Sequence, residues 1–249
     1  MTLTLLPWFL AYAIALSVAL ALAGHRSRPA PAAGEPRPDP RRILIVGATG
    51  GTGRRLVAQA LERGYEVTAL ARDPSKLQLE DPRLTVVRGD VLDPASLEPA
   101  VRGQDAVLCA LGHKRFFQPT RILSQGTANL LRAMDAHAVP RLVCETALGI
   151  GDAAGRMGLY YTFFVIPVIL PFYFWDKTRQ ERAIAESGVD WTIVRPAVLT
   201  NGEKRGTIRH GQVGSFLLTL RVSRADVAAF MLDQLRSNEH LRTAVGVCG

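Results

Sequence analysis

Three glycines spaced three apart, in the run GATGGTG at 47–53, follow directly on the apolar run ILIV at 43–46. A strand that ends on G-x-x-G-x-x-G and passes at once into a helix has few uses. Gly47 permits the tight turn, Gly50 lets backbone approach a pyrophosphate with no Cβ in the way, and Gly53 lets helix and strand pack closely. The amino end of the helix then offers free N–H groups and its positive dipole end to phosphate oxygens. A chain organised around such a unit continues most simply as a parallel sheet with helical crossovers.

From residue 42 onward, short β-branched runs do alternate with segments of helical period. The spacing predicts strands at 43–46, 66–71, 84–88, 105–110, 140–145 and 190–194. Helices are expected near 52–64, 94–102, 119–137, 176–187 and 223–237. The fold class is therefore α/β, a doubly wound, mostly parallel, Rossmann-type sheet, with ligands expected beyond the carboxyl ends of its strands. Roughly 200 residues lie outside the leader and linker described next, enough for one such domain and too few for two large ones.

The chain opens with 21 uncharged residues at 3–23. As a helix rising ~1.5 Å per residue, such a run spans the ~30 Å hydrocarbon core of a bilayer. No Lys or Arg precedes it, whereas Arg26, Arg28, Arg37, Arg41 and Arg42 follow. Positive flanks stay on the cytoplasmic side, so the expectation is a single-pass anchor with the domain facing the cytoplasm. A cleaved signal peptide is the rival, since Ala21, Leu22 and Ala23 before Gly24 resemble a small-residue cleavage site. The expected organisation is an anchor helix at 1–24 outside the fold, a Pro-rich semi-rigid linker at 25–41, and a nucleotide-binding domain at 42–249. The net charge of +8 is dispersed apart from the arginines after the leader, which argues against nucleic acid as a partner. Cys109 and Cys144 fall in apolar strand-like runs and Cys248 near the terminus, giving neither a disulfide framework nor a metal spacing.

Cofactor choice turns on the end of the second strand, where EVTALA runs into Arg72. A carboxylate there would hold the ribose hydroxyls of NAD. A guanidinium suits the 2′-phosphate of NADP instead, with Ser75 and Lys76 near enough to assist; the bland reading is a solvated loop arginine. Asp90, in the GDV after the third strand, would sit near the adenine edge. Together GATGGTG, ARDPSKL, GDVLD, AVLCALG and SGVDWTIVRPAVLT resemble the atypical short-chain dehydrogenase/reductase family, in particular its NmrA-like and NADPH-dependent flavin reductase (biliverdin reductase B-like) branch. The resemblance implies NADP(H) held by Gly47, Thr49, Gly50, Gly53 and Arg72, with further contacts from Asp90, Val91, Ala110, Leu111 and Gly112.

Carbonyl-reducing members of that family use Tyr-x-x-x-Lys with an upstream Ser or Thr, and Tyr173, Lys177 and Thr146 stand at matching positions. In that arrangement the ammonium lowers the phenol pKa, the phenol protonates the nascent alkoxide, and the hydroxyl orients the carbonyl. Tyr173 also belongs to an aromatic, apolar stretch, and atypical members can work by hydride transfer from a positioned nicotinamide alone. His113, Lys114 and Arg115 read either as a solvated basic loop or as a contact for nicotinamide or an acidic group. Asn129 resembles the family's helix-four asparagine, or is an ordinary buried helix residue.

Residues 158–175, GLYYTFFVIPVILPFYFW, carry no charge over 18 positions. A second crossing is excluded by topology, because strand 190–194 would then lie across the membrane from its own sheet. Pro167 and Pro171 also break a straight helix. A membrane-interface flap, a lid over an apolar pocket and an internal packing insert remain open, the flap being favoured by aromatic rings at both ends. The function expected is that of a membrane-anchored NADPH-dependent oxidoreductase with a small apolar or aromatic substrate (a quinone, flavin or carbonyl compound) and membrane lipid as a partner. The alternatives are a non-catalytic NADPH-binding sensor or scaffold and, if the leader is cleaved, an extracytoplasmic binding protein.

Overall fold

The computed structural model describes residues 6–25 and 39–249. Most of the expected linker, 26–38, lies outside the described residues. The six expected strands are β1 (Arg42–Val46), β2 (Glu66–Ala71), β3 (Leu84–Arg88), β4 (Ala106–Cys109), β5 (Arg141–Glu145) and β6 (Asp190–Pro196). Four more follow: β7 (Val198–Thr200), β8 (Arg209–Gly211), β9 (Arg221–Ser223) and β10 (Thr243–Cys248). The main sheet runs β3-β2-β1-β4-β5-β6-β10-β8, all parallel except the β10–β8 pair. Strands β7 and β9 form a separate parallel pair.

The central strands are buried on both faces, which is why RILIV and AVLC read as continuous apolar runs and not as alternating ones. Helices α2 (Gly51–Glu62) and α6 (Arg224–Asp233) cover one face through Leu56, Val57, Val227 and Met231. The other face is covered by α3 (Pro94–Val101), α4 (Ile122–Ala136) and α5 (Pro171–Ala185), through Leu97, Leu130, Met134 and Ile184. Each such side chain contributes roughly 1.5–3 kcal/mol by leaving water. The expected doubly wound α/β architecture is thus the one observed.

Two differences from the expectation have local causes. Strand β10, TAVGVC, is fully buried beside β6; its single interior glycine and flanking turn disguise a short strand. Helix α5 starts at Pro171, five residues before the expected 176, because a proline in the first turn forfeits only an N–H that would be unpaired anyway. Ahead of it, Tyr161–Ile169 form a π-helix containing Pro167, broken from α5 at Leu170. The apolar segment is therefore broken just before Pro171, as expected, whereas Pro167, also expected to break a helix, is carried inside the π-helix.

The leader forms α1 (Leu6–Ala23), apolar and largely exposed, with Ala13 and Leu20 buried. It stands outside the sheet yet docks on the body. The Tyr12 hydroxyl donates to the Pro167 carbonyl at 3.3 Å, Arg182 to the Ala23 carbonyl at 3.0 Å, and Arg195 to the His25 carbonyl at 2.8 Å. All three cysteines are free and buried.

Candidate cofactor and acceptor site

Strand order reverses between β1 and β4, and the site is assembled around their carboxyl ends. Gly47 takes φ +82, and a Cβ there would stand 2.5 Å from the Ala110 carbonyl oxygen just beyond β4. A Cβ on Gly53 would meet the Gly47 carbonyl oxygen at 2.1 Å. Neither position has room for a side chain, so α2 and β4 close on the turn only because both are glycine. The Gly50 N–H donates to the Gly47 carbonyl at 2.9 Å, and no side chain caps α2. Thr49 is half-buried within the turn. The opening N–H groups of the helix are thereby left to a ligand, as a phosphate cradle requires, and the turn fits a dinucleotide.

Arg72 lies exposed just past β2 and has no partner among the described residues. Ser75 and Lys76 are engaged by Asp73 instead, at 2.6 and 3.2 Å. Arg54, which the sequence reading missed, donates to the Lys76 carbonyl at 3.1 Å and adds positive charge to the same rim. After β3, Asp90 accepts from the Leu92 N–H at 3.0 Å, while Asn129 on α4 donates to the Val91 carbonyl at 2.8 Å. Asn129 therefore shapes the loop after β3.

Lys177 is 1% exposed, and its Nζ donates to the carbonyls of Leu111 at 3.1 Å and Glu145 at 3.0 Å, joining the ends of β4 and β5. Burial pushes its pKa down, but the Coulombic pull of its neighbours Tyr173, Cys144 and Glu145 outweighs that and holds it above the usual lysine range. It is an ammonium at neutral pH with one N–H still to give. Its Nζ stands 5.8 Å from the centre of the Tyr173 ring. The Tyr173 hydroxyl lies 3.7 Å from where a Gly112 Cβ would be, and its ring packs edge-on against His113 at 5.0 Å and Phe116 at 5.9 Å.

His113 is held neutral more firmly than usual, because burial lowers its pKa and Lys177 and Arg115 reinforce this against the pull of Asp176. Its Nε2 lies 3.0 Å from the Thr120 hydroxyl. Lys114 and Arg115 are exposed. Asp176, beside Lys177 in sequence, is wholly buried and accepts from the N–H groups of Leu123 and Ser124 at 2.9 and 3.2 Å. It caps α4 from a neighbouring helix.

Thr146 is turned to other partners. Its hydroxyl donates to Glu181 at 2.7 Å, and Glu181 also receives Arg195 at 2.9 and 2.6 Å. To donate to a substrate carbonyl Thr146 would have to release Glu181. Tyr173 and Lys177 are thus adjacent at the strand ends, while Thr146 belongs to the buried Glu181–Arg195 network.

Two further residues escaped the sequence reading. Glu145, 6% exposed at the end of β5, accepts from the Thr52 hydroxyl of α2 at 3.1 Å. Burial raises its pKa, opposed by Lys177, the Thr52 hydrogen bond and Arg224. An acidic residue closing the otherwise apolar VCE was the available signal. Arg224, first in α6, lies across the glycine turn, since a Gly51 Cβ would meet its side chain at 2.7 Å. Its Nη1 donates to Asn201 at 2.7 Å. The S-x-x-D capping pattern at 223–226, closed by the Asp226 N–H on Ser223 at 3.0 Å, marked that helix start.

The profile of an NAD(P)H-binding family matches residues 47–238. An uncharacterized chloroplastic protein of Arabidopsis thaliana is 33% identical over 183 residues, 68% of this chain and 62% of that protein. The photosystem II assembly factor Ycf39 of Synechocystis is 28% identical over 164 residues, 65% of this chain and 46% of the factor. The chain spans less than two thirds of the length of either relative. Among solved structures, a wide-type short-chain dehydrogenase/reductase from Veillonella parvula in complex with NADP shares the fold. Its TM-score is 0.72 at 20% identity, covering 84% of this chain and 95% of that one. ChuY, an anaerobilin reductase from Escherichia coli O157:H7, has a TM-score of 0.69 at 21% identity, over 83% of this chain and 96% of ChuY. The family match and the NADP-bound neighbour agree with the cofactor expected from the glycine turn. The chain belongs to the NAD(P)H-binding family, with the fold of the short-chain dehydrogenases/reductases.

Proposed function

We propose that the protein is a membrane-anchored, NADPH-dependent oxidoreductase that reduces an apolar or aromatic acceptor such as a quinone, flavin or carbonyl compound. The observation that supports this best is the pairing of a partly open phenol, Tyr173, with a buried ammonium, Lys177, beside the glycine turn. When bound, NADPH supplies the hydride. Gly47, Thr49, Gly50 and Gly53 would hold the pyrophosphate, with the Arg224 guanidinium as its counter-charge. Arg72 would hold the 2′-phosphate, Asp90 and Val91 the adenosine, and Ala110, Leu111 and Gly112 the nicotinamide side. Tyr173 gives its hydroxyl proton to the acceptor oxygen that gains charge, Lys177 stabilises the phenolate left behind, and solvent returns the proton.

Apolar surface supports both the acceptor class and the membrane. Helix α1 is long and apolar enough to cross a bilayer, and its side adjoins the π-helix through Tyr12 and Pro167. Exposed Tyr160, Phe164, Val168 and Trp175 continue that surface towards Tyr173. Apolar side chains left in water at this density fit a lipid surface or a lipid-soluble ligand, so segment 158–175 would admit the acceptor from the bilayer. The arginines after α1 orient the domain to the cytoplasm.

A second reading, an NADPH-binding sensor or scaffold, is favoured by the engagement of Thr146 with Glu181 and by the assembly-factor name of the cyanobacterial relative. An acceptor screen decides between them, following NADPH oxidation in detergent with quinones, flavins and aldehydes. Turnover of any apolar acceptor is the expected result. Tight NADPH binding with no acceptor reduced would favour the sensor or scaffold.

A further inference from the structure

Outside the cofactor site, His210, Glu239 and His240 bring one ligand atom each within 4.8 Å of one another. His210 comes from β8, where it pairs with Val247 of β10, and the other two come from the turn before β10, so the three are neighbours in space across about 30 residues of chain. We propose that these three residues bind a zinc(II) ion that clasps edge strand β8 to the sheet.

The distances carry the argument. His240 Nε2 lies 3.2 Å from His210 Nδ1 and 3.5 Å from Glu239 Oε1. Nitrogen and oxygen ligands about 2.0–2.1 Å from a tetrahedral zinc stand about 3.3 Å apart, so both contacts have the length of a tetrahedron's edge. Hydrogen bonding accounts for them less well. A neutral imidazole nitrogen carries one proton or one lone pair, yet a ring nitrogen and a carboxylate oxygen both converge on this one. A cation among the three satisfies them together, and two imidazoles with one carboxylate form a donor set suited to zinc.

The ligands are also held in advance. The His240 carbonyl accepts from Thr192 at 2.9 Å, and both imidazoles pack against Phe230 of α6, at 5.4 and 6.0 Å between ring centres. His240 is buried, whereas His210 and Glu239 are exposed, leaving the fourth position to water. Strand β8 interrupts the excursion 201–220, which carries exposed Phe216, Leu217 and Leu218 and reaches Met157 through a bridge at Ser215. A clasp at β8 therefore fixes one root of that excursion. The ligand geometry is independent of the proposed oxidoreductase activity.

The test uses the full chain in detergent, without a histidine tag and stripped of metal. Zinc titration by calorimetry should give one equivalent bound per chain at micromolar affinity or better. Cobalt(II) in its place should give the intense visible absorption of tetrahedral coordination. His210→Gln removes an exposed ligand and should weaken zinc binding by about 100-fold or more, while Glu239→Gln should weaken it about 10-fold. Zinc should raise the thermal midpoint of the parent and protect 201–220 from protease, with neither effect in His210→Gln. Failure of the parent to bind micromolar zinc, or unchanged binding in His210→Gln, overturns the proposal. NADPH binding should be the same in all three proteins, which separates a failure here from a failure of the cofactor site.

Discussion

Where β1 meets α2 and β4, main chain rests on main chain: Gly47 lies against Ala110 and Gly53 against Gly47, with no room for a Cβ at either. Across the site, from β5 to the start of α6, side chains do the joining. Lys177 spans two strand ends, Thr146 and Arg195 enclose Glu181, and Asp176 caps a helix other than its own. The first arrangement accepts one residue type and presents one kind of ligand surface. The second is a set of exchangeable contacts, where a substrate preference can be altered without disturbing the nucleotide cradle.

The largest expected effect breaks the main-chain side. Gly53→Val puts a side chain where a Cβ already lies 2.1 Å from the Gly47 carbonyl oxygen. NADPH binding by calorimetry should fall by more than about 100-fold, with circular dichroism confirming that the sheet persists. Arg72→Ala removes a charge and no packing. NADPH affinity should drop about 10- to 100-fold, the scale of a lost charge-assisted contact, while NADH affinity stays put. Equal loss for both nucleotides would take Arg72 away from the 2′-phosphate.

On the side-chain half, Phe164→Asp charges an exposed position of the π-helix. Liposome flotation should fall several-fold for the isolated domain, with NADPH affinity unchanged. The smallest effect is the pH dependence of His113. Its folded pKa lies below the ordinary histidine value, so the unfolded chain binds the extra proton first. Its stabilising contribution is full above about pH 6.5 and is lost as pH falls from there towards the folded pKa. Thermal midpoints of His113→Gln should therefore decline less between neutral and mildly acid pH than those of the parent. An identical acid limb would show that His113 is not the group responsible.

Legibility follows the same division. The glycine turn and the central strands β1 and β4 are written in local sequence, because parallel strands buried on both faces run apolar and only glycine fits at 47 and 53. The edge strand β3, with no buried residue, shows instead in its β-branched run TVV. Tyr173 and Lys177, the candidate pair, stand out by their Tyr-x-x-x-Lys spacing. The rest depends on partners distant in the chain. Nothing near Thr146 announces Glu181, 35 residues on, and nothing near Gly51 announces Arg224. Strands β7 to β9 have three residues each and exist only through their pairing, so no periodicity could reveal them.

The account depends most on Tyr173 as the proton donor beside Lys177, and the rate of NADPH oxidation at saturating NADPH and apolar acceptor tests it. Parent, Tyr173→Phe and Lys177→Met would be compared in detergent, with NADPH affinity measured alongside. The account predicts a fall of about 100-fold or more in turnover for Tyr173→Phe with NADPH affinity nearly intact, and a similar loss for Lys177→Met. Oxidation at the parental rate in both variants would contradict it.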